Sequence, residues 1–178
     1  IGFSSVMFDG SKLDYAKNVA TTKQLVSEIG EQVWFEAELG EVGGKDGVHA
    51  PGVRTSPNEA ADFVAETGVH GLAVAVGSSH AMLEKSSELN FDLIRKIAAS
   101  VSVPLVLHGS SGVSHEGLRL AIAAGIKKVN IATELNAVFN RVVAENIAEG
   151  PGDPRKFLVP ARAELTEYLV SLHKKLAG

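Results

Sequence analysis

The sequence predicts a parallel α/β fold, and within that class a (β/α)8 barrel of the TIM type. These 178 residues read as about the last five βα units of it plus a C-terminal helix. Three observations carry that expectation. Short β-rich runs alternate with helix-length segments, and two of the runs are nearly continuous in apolar character, as strands covered on both faces are. Each run ends in a cluster of polar residues, and in a parallel barrel all such clusters meet on the C-terminal rim, where active sites of this fold lie. A closed barrel needs eight units and about 250 residues, so three earlier units are expected to lie outside residues 1–178, which form a single domain on this reading. The periodicity alone leaves an open, doubly wound five-stranded sheet as the rival.

Taken in order, the strand runs are Ile1–Phe8, Val33–Leu39, Gly71–Val76, Val103–Leu107 and Lys128–Ile131. The helical segments are Asp14–Ile29, Pro57–Thr67, Phe91–Ala99, Ser114–Ala124, Leu135–Glu149 and Arg155–Leu176. Ser56 stands before Pro57, a proline at a first helical position, and Ser114 precedes Glu116 and the apolar Leu118 and Ile122. Gly30, Gly68 and Gly125 sit just past three helix ends, where a left-handed residue closes the last turn.

Composition narrows the function. The chain is 45% hydrophobic and 21% charged, the proportions of an ordinary globular domain. It has no cysteine, which excludes a disulfide scaffold, thiolate metal sites and cysteine nucleophiles. Seventeen basic against 21 acidic residues give a net charge of -4 with no basic block, which argues against nucleic-acid and anionic-membrane partners. No apolar run approaches the length of a membrane span, and the start carries no basic signal-peptide region. A cytoplasmic protein handling a small molecule is the expectation.

The polar clusters carry the candidate chemistry. His80 and His108 end adjacent strands, so their imidazoles can approach one another and hold a metal with a further protein ligand, which is expected from the earlier units. A lone histidine at a strand end is more often a hydrogen-bonded turn residue, and that alternative stands beside the metal one. His49, His70, His115 and His173 read as surface residues of loops and helices. His108-Gly109-Ser110-Ser111-Gly112 runs from a strand into a helix, where small residues and free N–H groups suit a phosphate, or simply cap the helix. The glycine-rich stretch 40–54 is a candidate lid carrying Asp46, or a surface loop without function. The third strand has no lysine and Lys127–Lys128 are expected at the N-terminal end of the fifth, which disfavours a lysine Schiff base.

Gly2-Phe-Ser-Ser-Val-Met-Phe-Asp9, Glu36-Ala-Glu-Leu-Gly-Glu-Val-Gly-Gly44, Leu72-Ala-Val-Ala-Val-Gly-Ser-Ser-His80, Val103-Pro-Leu-Val-Leu-His-Gly-Ser-Ser-Gly112 and Val129-Asn-Ile-Ala-Thr133 together resemble the class II, zinc-dependent ketose-bisphosphate aldolases. The resemblance implies a TIM barrel that splits fructose or tagatose 1,6-bisphosphate into dihydroxyacetone phosphate and glyceraldehyde 3-phosphate, with Zn2+ as Lewis acid on the ketone. By the same resemblance, His80 and His108 match two of three zinc ligands, and Asp9 and Glu38 match carboxylates of a second metal position. Ala81, Gly109, Ser110, Ser111, Asn130, Ile131, Ala132 and Thr133 match the residues that hold dihydroxyacetone phosphate. The family's third zinc histidine and its catalytic aspartate lie in a His-x-Asp-His segment that residues 1–178 do not contain. Ala81 departs from the family's usual glycine, and Lys45-Asp46 departs from its usual paired acids. Asn130-Ile-Ala132-Thr-Glu134-Leu-Asn136 is similar to the tagatose type. Arg162 is the candidate contact to a distal phosphate from a neighbouring subunit of a homodimer or homotetramer. Two readings of other classes stay open, a metal-free phosphosugar barrel enzyme and a non-catalytic aldolase-like fragment.

Overall fold

The computed structural model describes residues 2–30, 32–40, 42, 54–80, 82, 84–147 and 152–177. They divide into two compact units, Ile1–Asn130 and Ile131–Gly178.

The first unit holds a five-stranded sheet: β1 (Ser5–Phe8), β2 (Trp34–Leu39), β3 (Gly71–Val74), β4 (Leu105–Leu107) and β5 (Ile126–Val129). Its helices are α1 (Tyr15–Ile29), α2 (Pro57–Thr67), α3 (Phe91–Ser100) and α4 (His115–Ala124), with a short 3-10 turn at Ser110–Gly112. Every strand pair is parallel and the spatial order is β1-β2-β3-β4-β5. A doubly wound sheet reverses its order at a switch point, and this one does not. Sequential order is what a partial barrel requires, and the open-sheet alternative falls.

Local chemistry explains the helix limits. The Asp14, Asn90 and Ser114 side chains each accept a backbone N–H three residues on, from Lys17, Leu93 and Gly117, and so cap α1, α3 and α4. Gly68 closes α2 in the left-handed region at φ 71°.

β1 to β4 are shorter than their apolar runs, and β5 lies earlier than the expected Lys128–Ile131. Gly125 bonds back to the Ala121 and Ile122 carbonyls, so the chain leaves α4 and enters the sheet at once with Ile126. Lys128 is therefore the third of four strand residues and does not open the strand, which corrects its expected placement.

Register gives the sheet two distinct faces. Glu38 pairs with Ala73, Ala73 with Val106, and Val106 with Lys128, so these four form one row across β2 to β5. Phe35, Leu72 and Val74 belong to the opposite face and are buried, with Phe63 of α2 and Ile94 and Ile97 of α3 among the fully buried side chains. The row face holds the polar residues.

The second unit consists of α5 (Thr133–Ile147) and α6 (Arg155–Ala177). Arg141 of α5 pairs with both Glu145 and Glu164. Val142, Ala161 and Leu172 are its buried apolar residues. Burial, with the Glu134 carboxylate nearby, pushes the Tyr168 phenol up. None of the described helices is long and apolar enough to cross a membrane.

Candidate metal centre

The period-two alternation of β2 sends Trp34, Glu36 and Glu38 to one face and Phe35, Ala37 and Leu39 to the other. Glu36 and Glu38 are only 1% and 0% exposed, a burial that carboxylates tolerate only with partners. Their main partner is His108, two strands away. Strands lie about 4.8 Å apart, so that reach crosses nearly 10 Å. The intervening strand permits it because its residues in register with the two glutamates are Gly71 and Ala73. A Cβ on Gly71 would lie 2.3 Å from the Trp34 ring, so the indole already fills that space.

His108 follows β4 and is held at both ring nitrogens, Nδ1 lying 2.9 Å from Glu38 Oε2 and Nε2 lying 2.7 Å from Glu36 Oε1. Burial opposes charge on this imidazole, but the two carboxylates outweigh it and raise its pKa to about 9. Burial likewise opposes charge on Glu36, yet His108 and Lys128 hold its carboxyl below the usual range. Lys128 Nζ donates to Glu36 Oε2 at 2.5 Å and to Asn130 Oδ1 at 2.8 Å, and lies 5.5 Å from the centre of the Trp34 ring. The Asn130 amide is thereby oriented, its Nδ2 lying 3.1 Å from Glu36 Oε1 and 2.9 Å from His108 Nε2.

His80, just past β3, brings its ring centre within 5.9 Å of that of His108 in an edge-on arrangement. Glu38, His80 and His108 each offer a ligand atom, all within 4.8 Å of one another. Two imidazole nitrogens and a carboxylate oxygen form a donor set that suits zinc, so the residues present fit that ion. The expected histidine pair is thus together. Glu38, expected at a second position, stands with it as the third donor.

The turn after His108 is built for close approach. Gly109 is left-handed at φ 64°, and Ser110 Oγ donates to the Asn130 carbonyl at 2.6 Å. Ser110, Ser111 and Gly112 are buried, and the Ser114 cap then opens α4.

Other expected residues lie elsewhere. Asp9 is exposed past β1 and accepts from the Ser11 N–H and Oγ, and among the described residues the metal-capable group does not include it. Ile131 and Ala132 follow β5, Thr133 begins α5, and Arg162 is an exposed residue of α6. Asp46, His49 and Ala81 lie outside the described residues. His70 is half-buried rather than superficial, its Nδ1 accepting the Phe35 N–H at 2.9 Å. Glu36 and Lys128 were missed as site residues. Glu36 was legible as the residue two before Glu38 on the same face.

Comparison with known proteins decides the family. The family model for class II fructose-bisphosphate aldolase matches residues 1–177. The chain belongs to the class II fructose-bisphosphate aldolase family. Among solved structures, this aldolase family member is similar to the YdjI aldolase from Escherichia coli K12, at 34% identity and TM-score 0.78, over 98% of this chain and 60% of that one. A candidate fructose-1,6-biphosphate aldolase from Coccidioides immitis matches at 29% identity and TM-score 0.83, over 98% of this chain and 64% of its own. The fructose-bisphosphate aldolase (Fba) from Campylobacter jejuni shares the fold at 22% identity and TM-score 0.77, over 98% of this chain and 61% of that one. The chain thus spans 60% to 64% of the length of these solved relatives.

Proposed function

We propose that the protein is a zinc-dependent aldolase that cleaves a ketose 1,6-bisphosphate to dihydroxyacetone phosphate and glyceraldehyde 3-phosphate. The observation that carries this reading is the Glu38, His80 and His108 donor set beside the Gly109–Ser111 turn, within a chain of this family. It also favours the metal-dependent reading over a metal-free phosphosugar enzyme, which has no use for two imidazoles and a carboxylate converging within 4.8 Å.

When bound, zinc supplies a Lewis acid for the ketone oxygen of the substrate. The chain's residues bind and orient. The backbone of Gly109, Ser110 and Ser111, which leads into α4, is assigned to the phosphate of the ketose end. Asn130, its amide fixed by Lys128 and Glu36, presents a defined face to the substrate hydroxyls. Ala81, Ile131, Ala132 and Thr133 are assigned to the same phosphosugar. Asp46 is assigned to proton transfer, Asp9 to a second metal position, and Arg162 to the distal phosphate of a neighbouring subunit. A cytoplasmic homodimer or homotetramer acting on a small phosphosugar is the corresponding biological unit.

By the resemblance the principal catalytic aspartate lies in a His-x-Asp-His segment that residues 1–178 do not contain, so these residues alone are expected to show no turnover. A purified chain of only these residues that cleaves a ketose bisphosphate at the full-length rate contradicts that expectation. For the function itself the test is removal of metal from the full-length protein with a chelator. Cleavage should vanish and return on adding zinc; cleavage that persists in metal-free protein refutes the proposal.

A further inference from the structure

The Lys128–Glu36 pair has no role in the scheme above beyond orienting Asn130, yet it ties a buried carboxylate to a lysine three strands away. A carboxylate 1% exposed is held between a lysine from β5 and the Nε2 of His108, and the link reaches from β2 across to β5. We propose that Lys128 and Glu36 are positioning residues for the metal centre: Lys128 fixes the Glu36 carboxylate, and Glu36 takes the Nε2–H of His108, so that Nδ1 is the nitrogen turned to Glu38. The inference deepens the zinc reading and rests on it.

Three observations point the same way. Glu36 uses separate oxygens, Oε2 for Lys128 at 2.5 Å and Oε1 for His108 at 2.7 Å, so the two contacts do not compete. The His108 nitrogen that meets Glu38, a member of the donor set, is Nδ1 and not the one held by Glu36. The lysine is itself aimed, by Asn130 Oδ1 at 2.8 Å and by the Trp34 ring. A carboxylate on the far nitrogen of a ligating histidine fixes both tautomer and ring orientation, and losing such a partner typically costs about 10- to 100-fold in metal affinity. Charge supports the arrangement as well. Lys128 neutralises Glu36, which leaves Glu38 as the net anion facing the ion.

Simple electrostatics and positioning make opposite predictions for the lysine. Removing a cation near a dication's site should tighten metal binding if charge alone matters. Removing a positioning residue should weaken it. The experiment is zinc affinity of the full-length, metal-stripped protein, by competition with a chromophoric chelator, together with the visible spectrum of the cobalt(II)-loaded form.

Glu36→Gln and Lys128→Met are each expected to weaken zinc binding about 10- to 100-fold and to alter the cobalt bands. The double variant should lose little more than the worse single one, because the two act as one unit. Lys128→Arg, which keeps charge and reach, should recover much of the loss. Unchanged or tighter binding in Lys128→Met overturns the proposal, and so does a double variant whose losses simply multiply. Should Lys128→Met fail to fold, the isosteric Glu36→Gln decides, and wild-type affinity there is fatal. His108→Ala separates the two levels. If it binds zinc as the wild type does, the zinc reading fails and this inference with it. If it loses zinc while Glu36→Gln and Lys128→Met keep it, only the positioning role is wrong.

Discussion

Gly109 backs directly onto Ser79: a Cβ on Gly109 would lie 2.6 Å from the Ser79 carbonyl carbon. That approach joins the loop after β4, which follows His108, to the loop after β3, which carries His80. Gly109 also sits at φ 64°, where a non-glycine residue costs about 1–2 kcal/mol before any clash. Gly109→Ala is therefore expected to destabilise the full-length protein by at least that amount and to weaken zinc binding by pushing the two loops apart. Chemical denaturation with a zinc titration checks both. A variant of wild-type stability and zinc affinity would show that the loops have room to spare.

Thr55 ties β2 to β3 at the rim. Its buried hydroxyl donates to the Leu39 carbonyl at 2.6 Å and accepts the Ala75 N–H at 2.9 Å. Thr55→Val keeps the shape and leaves both backbone groups without that partner, an expected cost of about 1–3 kcal/mol. Urea denaturation of the full-length protein should show the loss as a lower midpoint with an unchanged slope. A shift of under 0.5 kcal/mol would mean that water replaces the hydroxyl.

Much of this was legible in residue order, for identifiable reasons. The start of α4 was, because the Ser114 side chain acts on Gly117 only three residues on. His80 and His108 were, because consecutive strands of a barrel are neighbours, and their rings do meet. Lys128 was not. A polar pair after a glycine reads as a strand boundary, and only the Val106–Lys128 register shows it inside β5. Its bond to Glu36 joins residues 92 positions apart, and no local pattern encodes that. The reach from β2 to β4 was equally hidden, since it depends on Gly71 and Ala73 being small on the strand between.

The proposed reaction carries an expected sugar preference, which rests on the stretch after β5. Where fructose-type members of the resembled family carry a carboxylate, this chain has Ala132, and Asn136 stands where they carry arginine. Fructose and tagatose bisphosphates differ at one hydroxyl, and mispairing one polar group costs on the order of 1–3 kcal/mol, or roughly 5- to 150-fold. The expected result is a higher kcat/KM for tagatose 1,6-bisphosphate, with measurable cleavage of the fructose epimer. A tenfold or greater preference for fructose would reverse the assignment and leave the aldolase class intact.

The central claim is that Glu38, His80 and His108 together hold the zinc on which cleavage depends. It is tested most directly by crystallising the full-length, zinc-loaded protein and collecting anomalous data on either side of the zinc edge. The account predicts one strong zinc peak within about 2.0–2.2 Å of the nearest nitrogen of each histidine and of a Glu38 oxygen. A zinc peak elsewhere, or none among these three side chains in protein that cleaves the sugar, would contradict it.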